Sequence, residues 1–292
     1  MSKTAVSYPI IAALVAAEGM EGMGDNRQWN PINDTQVRFL REFFATCRDE
    51  IDEIPEIESL ASWDVEEVNA FLRERGFSIQ LQPIDDNTFA VASVLDLLVN
   101  WLVEGEETTV EAKDHKNYPG VKIGKESVQF YNAHGHNNPI ALLKTKTGDR
   151  VYLTMLDNAP SDGFGLIDLA EELADNLTDN DDYGGLVFPM VDLDQRVDIS
   201  WLLNMSTTGD DGRPARITQA LQQTILRMNE IGARAKSAVA IAVMREAFVR
   251  EKPDMTIDGP FLIWIERDDL AKPLFVGYIT EEDWRNPGDI TK

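Results

Sequence analysis

Cysteine is nearly absent from this chain of 292 residues: Cys47 stands alone, which excludes an internal disulfide framework. It falls on the apolar side of a helical pattern, where a buried and inert thiol is expected. Basic residues are also scarce, 27 against 51 acidic ones, for a formal charge of −24. A field of that sign repels phosphate backbones and anionic bilayers, so neither nucleic acid nor membrane is an expected partner. The three histidines all lie between His115 and His136. Zinc needs more converging donors than His134-Gly135-His136 supplies, and Gly135 favours a turn, so a polar hairpin tip is expected and no metal. The acidic runs Asp179-Asn180-Asp181-Asp182 and Gly209-Asp210-Asp211-Gly212 lack the glutamate spacing of an EF-hand and read as solvated turns. No Gly-rich phosphate loop, nucleophile elbow or Ser/His/Asp set of usable spacing is present. The chain is therefore not expected to be an enzyme, and no cofactor is implied.

What is present is enough apolar sequence for one large core or two small ones. The opening MSKTAVSYPIIAALVAAEGM admits a secretory leader cut near Ala16-Ala17, but Ser7, Tyr8 and Pro9 interrupt its run and the positive end is weak. It is too short and too polar to span a bilayer. A first helix is the plainer reading, and a soluble cytoplasmic location is slightly favoured over a secreted one, the compartment being otherwise unknown. Asn33 or Asp34 caps a second helix with an expected stripe at Val37, Leu40, Phe44, Cys47 and Ile51. Another helix starts near Ser62 or Asp64, uses Val65, Val68, Phe71 and Leu72, and stops at Gly76. Phe77 to Ile84 alternates like a strand, whereas Phe89 to Val103 suits either a buried helix or a central strand. Ile217, Leu221 and Ile225 repeat every four residues, the period of a helix. Phe261 to Ile265 and Leu274 to Ile279 read as two strands joined by the charged turn Glu266 to Lys272.

The stretch from Met228 to Phe261 is the most unusual. Read at period two, one face carries Ala233, Ala235, Ser237, Val239, Ile241 and Val243, all small to medium and uncharged. The other face begins with Arg234 and Lys236. Alanine-rich sequence also makes good helix, and the pattern alone leaves both readings open.

Around this stretch stand Asn229-Glu230-Ile231-Gly232, then the Ala-rich run, then Asp258-Gly259-Pro260-Phe261-Leu262-Ile263-Trp264-Ile265, and finally Leu274-Phe275-Val276-Gly277. Together they resemble the C-terminal part of a serpin. Upstream, Val187-Phe188-Pro189 with Asp198 and Leu202-Leu203 resembles the strand and turn before the serpin hinge. Val151 to Leu156, followed by an acidic helix up to Leu177, resembles the mid-chain strand and helix. Leu98-Val99-Asn100 looks like the strand bordering the insertion gap, although Trp101 does not stand at the family's usual tryptophan spacing.

The resemblance implies a mixed α/β (α+β) fold spanning 1–292 as one domain, with a dominant antiparallel sheet, surrounding helices, a second C-terminal sheet and an exposed reactive-centre loop. Residues 1–88 would be a divergent, reduced helical part, and 229–259 the hinge and loop. The family's strand before the hinge overrides the helical period of Ile217 to Met228. The implied function is that of a suicide substrate for a serine or cysteine protease, working as a monomer. The alternative is a non-inhibitory structural or binding module. Glu230 and Gly232 would form the hinge, and Ala233, Ala235, Ser237, Val239, Ile241 and Val243 would insert. Asn100 and Gln222 would sit where the sheet opens, Gln222 replacing the family's histidine. Sixteen residues after Glu230 comes Glu246, so Glu246–Ala247 is the implied reactive bond, with Arg245 as the alternative bait. Arg234 and Lys236 depart from the small uncharged residues that inhibitory members prefer.

Overall fold

The computed structural model describes residues 1–24, 28–82, 88–95, 100–160, 163–231 and 252–290. The chain opens with β1 (Lys3–Ala5) and α1 (Tyr8–Glu18), then α2 (Asp34–Phe39), which runs through a π-helical turn (Leu40–Phe44) into α3 (Ala45–Cys47). After β2 (Ile57–Ser62), α4 (Val65–Glu74) and β3 (Thr88–Leu95) come β4 (Glu106–Glu111), β5 (Asn117–Gly124), β6 (Val128–Ala133), β7 (Ile140–Lys144) and β8 (Arg150–Met155). Then follow α5 (Gly163–Asp175), β9 (Leu177–Asp179), β10 (Gly185–Pro189), β11 (Val191–Val197), β12 (Ser206–Thr208) and β13 (Pro214–Ile217). The last elements are β14 (Gln222–Met228), β15 (Asp254–Thr256), β16 (Phe261–Glu266) and β17 (Phe275–Ile279).

The result is a mixed α+β architecture with one large antiparallel sheet, three smaller ones among the described residues, and few helices. The seven-stranded sheet has the order β1-β17-β16-β8-β7-β6-β9. Its inner strands β7, β16 and β17 read as nearly unbroken apolar runs because both faces are covered. In β16, Leu262 and Trp264 enter the core shared with α1, α2 and α5, whereas Phe261, Ile263 and Ile265 enter a second core shared with β5, β10 and β11. Trp264 lies opposite Tyr152 in the register, and the two rings stack at 4.7 Å. The expected pair Phe261–Ile265 and Leu274–Ile279 is thus a pair of strands, but it belongs to the dominant sheet rather than to a second one. A separate four-stranded sheet, β15-β10-β5-β4, covers the second core.

Local signals explain three helix ends. Asn33 Oδ1 accepts from the Gln36 amide at 2.9 Å, and Asp64 Oδ1 from the Glu66 amide at 2.9 Å, so both expected caps are made. Gly76, at φ +80°, closes α4 where only glycine is unstrained. The stripe of the α2–α3 helix needs correction. Phe44 and Cys47 are buried as expected, but Val37 is exposed and Phe39 and Phe43 take the inward positions. The π-helical turn inserts a residue and shifts the phase between the two ends.

Phe77 to Gln82 is not a strand, although Ile79 and Leu81 are buried as its alternation requires. Its backbone is hydrogen-bonded by side-chain amides instead of by a neighbouring strand. Asn69 both donates to the Leu81 carbonyl (3.0 Å) and accepts from its amide (2.8 Å), and Gln219 does the same for Gln82 (2.7 and 2.8 Å). The His134–His136 stretch is a turn, with Gly135 at φ +78° and His136 Nε2 2.7 Å from Thr154 Oγ1. The acidic helix ends at Asp175, and Leu177 already starts β9.

Candidate functional site

Residues 217–228 are where pattern and fold conflict most sharply. The four-residue period predicts a helix, yet Gln222–Met228 is β14, paired antiparallel with β11 over seven positions from Val191↔Met228 to Val197↔Gln222. Its composition of Thr, Ile, Leu and Met flanked by polar residues suits a half-buried strand, and the pairing decides. Thr224 and Met228 face inward, whereas Leu221, counted in the helical stripe, is largely exposed. Opposite Asp192, Arg227 places its guanidinium 3.5 Å from the carboxylate, a cross-strand pair that helps fix the register.

Among the described residues β14 pairs with β11 alone. On its other side a small cleft separates Gln222–Leu226 from Ser93 and Leu95 of β3. The Ser93 hydroxyl has no hydrogen-bond partner among the described residues. Phe77 also lines this cleft, and Gln223 Oε1 accepts from the amides of Ser78 (3.0 Å) and Ile79 (3.3 Å). Two strands thus flank a gap with a third extended segment lying beside it.

The end of β14 is fixed by hydrogen bonds. Asn229 is 2% exposed, and its side chain donates to the Gly288 carbonyl at 3.2 Å while accepting from the Ile231 amide at 3.0 Å. Its own carbonyl accepts from Trp101 Nε1 at 2.9 Å. The next carbonyl, of Glu230, accepts from the Gly105 amide at 2.8 Å. Trp101 is buried, with its ring edge-on to Phe188 at 5.9 Å, so its N–H needs an acceptor and the Asn229 carbonyl supplies it. Sequence spacing set Trp101 aside; the fold puts it against Asn229, in the segment expected to form the hinge. The signal was Trp101's place directly after Leu98-Val99-Asn100.

The expected site residues fare differently. Glu230 lies two residues past the end of β14. Gln222 opens β14, and its Nε2 donates to the Val6 carbonyl at 3.2 Å. Asn100 is held elsewhere: its carbonyl accepts from the Lys146 amide at 2.9 Å, and its Oδ1 is buried without a partner among the described residues. Gln222 and Asn100 share no hydrogen bond with each other. Gly232, Ala233, Arg234, Ala235, Lys236, Ser237, Val239, Ile241, Val243, Arg245, Glu246 and Ala247 lie outside the described residues. The chain is described again from Lys252, and Asp254–Thr256 is β15, parallel to β10, with the Ile257 amide 2.8 Å from the Val187 carbonyl. The segment expected to remain loop up to 259 therefore already contains a strand.

The family model described as serpin (serine protease inhibitor) matches residues 193–281, from β11 to just past β17. Solved structures share the fold. Serpin48, a highly specific serpin of the insect Tenebrio molitor, aligns with a TM-score of 0.57 at 14% identity, over 95% of this chain and 91% of that one. Thyroxine-binding globulin, in complex with thyroxine, gives 0.56 at 12% identity, over 95% and 92%. A serpin from Schistosoma mansoni gives 0.51 at 14% identity, over 74% and 63%. No curated protein sequence gives a significant match. The chain thus carries a serpin-like segment over 193–281 and shares the fold of these solved structures. No helix among the described residues is long and apolar enough to cross a membrane.

Proposed function

We propose that this serpin-like chain inhibits a serine or cysteine protease as a suicide substrate, with β14 as the template for the inserting loop. The observation that carries the reading is the state of β14. It pairs on one side only among the described residues, faces β3 across a cleft, and runs straight into the fixed pivot Asn229–Ile231.

The protease nucleophile attacks the carbonyl of the bait residue, Glu246 or alternatively Arg245, and the following residue leaves with a new amino terminus. The acyl-enzyme is then carried along as Ala233, Ala235, Ser237, Val239, Ile241 and Val243 enter beside β14 with their faces inward. Insertion satisfies an open strand edge and releases the strain of the uncut form. Glu246 as bait suits a protease with a basic specificity pocket, and Arg245 one with a carboxylate at its base.

A second reading is a non-inhibitory binding or structural module. Arg234 and Lys236 favour it, because two bases at the start of the inserting segment oppose entry. Thyroxine-binding globulin, a ligand carrier in name, shares the fold. Incubation with trypsin and with a Glu-specific protease, followed by a denaturing gel, separates the readings. An SDS-stable complex with either enzyme supports inhibition and fixes the bait; cleavage without a complex leaves the second reading.

A further inference from the structure

A cavity of about 390 Å³ lies between the β1–α1 junction, the first turn of α5 and β11. That volume falls in the range of small-molecule sites. Ile10, Phe164, Ile167, Ile199 and Trp201 give it apolar walls, and the Trp201 ring is held in place against Phe39 (5.1 Å) and Phe164 (5.3 Å).

Its polar groups lean one way. Ser7 is 2% exposed, and its hydroxyl has no hydrogen-bond partner among the described residues. It stands at the N-cap of α1 without capping it, where the helix end favours negative charge. A buried hydroxyl left unpaired is destabilising, and an acceptor brought by a ligand would remove that penalty. Two cations also line the cavity in a chain with nearly twice as many acids as bases. Lys3 Nζ donates to the Pro160 carbonyl at 2.7 Å rather than to a carboxylate, and Arg196 makes no ion pair among the described residues. The carboxylate on the lining, Asp198, is occupied by the Ser200 amide at 2.9 Å.

We propose that this cavity binds a small amphipathic anion, an apolar molecule carrying one carboxylate. Its body packs between α1 and α5, and its carboxylate takes the Ser7 hydroxyl with Lys3 and Arg196 at the rim. The site is separate from the protease-directed loop and does not depend on that reading. Because Gln222 of β14 also borders the cavity, an occupant would tie β14 to the helices.

Calorimetric titration of the full chain with dodecanoate tests the site, with dodecan-1-ol as the uncharged control. One equivalent of dodecanoate is expected to bind, about tenfold or more tightly than the alcohol, the ratio one charge-assisted hydrogen bond supplies. Ser7→Ala removes an unpaired hydroxyl and is expected to fold; it should weaken dodecanoate by a similar factor. Val197→Trp, at a half-buried lining position, should block entry. No saturable binding of dodecanoate, equal affinity for the alcohol, or binding unchanged by either substitution would overturn the proposal.

Discussion

Trp101 donates its indole N–H to the carbonyl of Asn229 at 2.9 Å, joining two residues 128 positions apart at the point where β14 ends. The bond is buried and fixes the backbone next to the expected hinge, so the first residue of the loop starts from a defined direction. Trp101→Phe keeps the ring against Phe188 and deletes the donor. A loss of about 1–3 kcal/mol is expected, the cost of leaving a buried carbonyl unpaired, read as a lower urea midpoint. If the hinge reading holds, loop insertion after cleavage should also become faster.

Ala235 is assigned to the inward face of the inserting segment. Ala235→Glu is expected to leave the uncut fold intact and to reduce the gain in thermal stability that follows cleavage of the loop. An unpaired charge between strands costs several kcal/mol, roughly the effective desolvation penalty of a buried ion. Differential scanning calorimetry of cut and uncut protein checks this. A full gain in the variant would show that residue 235 does not face inward.

The Arg267 guanidinium spans two carboxylates: 2.7 and 3.0 Å to Glu56, and 2.7 and 3.2 Å to Asp149, whose side chain is fully buried. Arg267→Met strands the Asp149 charge, and a loss of about 3 kcal/mol is expected. Hydrogen bonds from Arg267 hold the Glu56 carboxyl below the usual carboxylate range. A carboxyl depressed in the folded state adds stability that is present above its unfolded pKa, about 4.3, and is lost as pH falls through the folded value. The parent should therefore lose stability on acidification below about pH 4.3, and the variant should lose less. Chemical denaturation at several pH values measures both slopes.

Burial pushes the Cys47 thiol up to about 11. At pH 8 the folded protein is expected to leave a thiol-reactive dye uncoloured, and one equivalent should react at once in denaturant. Prompt reaction of the folded chain would mean that α3 opens readily.

Much of the fold was legible because covering both faces of a sheet leaves an unbroken apolar run, as in β16. Caps were legible because Asn33 and Asp64 act within three residues of themselves. The strand β14 could not be read from its period, since Ile217 and Ile225 owe their places to pairing with distant strands, and Leu221 between them is in neither strand. The Phe77–Gln82 segment shows the reverse: its alternation was real, but alternation reports burial, not hydrogen bonding. Three amides, Asn69, Gln219 and Gln223, stand in for the missing strand. Of the site, the motif that carries the hinge expectation for Glu230 was legible. Trp101 was missed because only the folded chain brings it to Asn229.

The place of β16 between β8 and β17 has a consequence for what a cut in the loop leaves behind. Everything after the cut includes two interior strands of the largest sheet, bordered by β8 on one side and β1 on the other. The two pieces of a nicked chain are interlocked through three hydrogen-bonded ladders (β1–β17, β8–β16 and β10–β15) and two shared cores. A nick should go unnoticed by native size-exclusion chromatography and show itself only on a denaturing gel. Cleavage would change the connectivity of the molecule without dividing it.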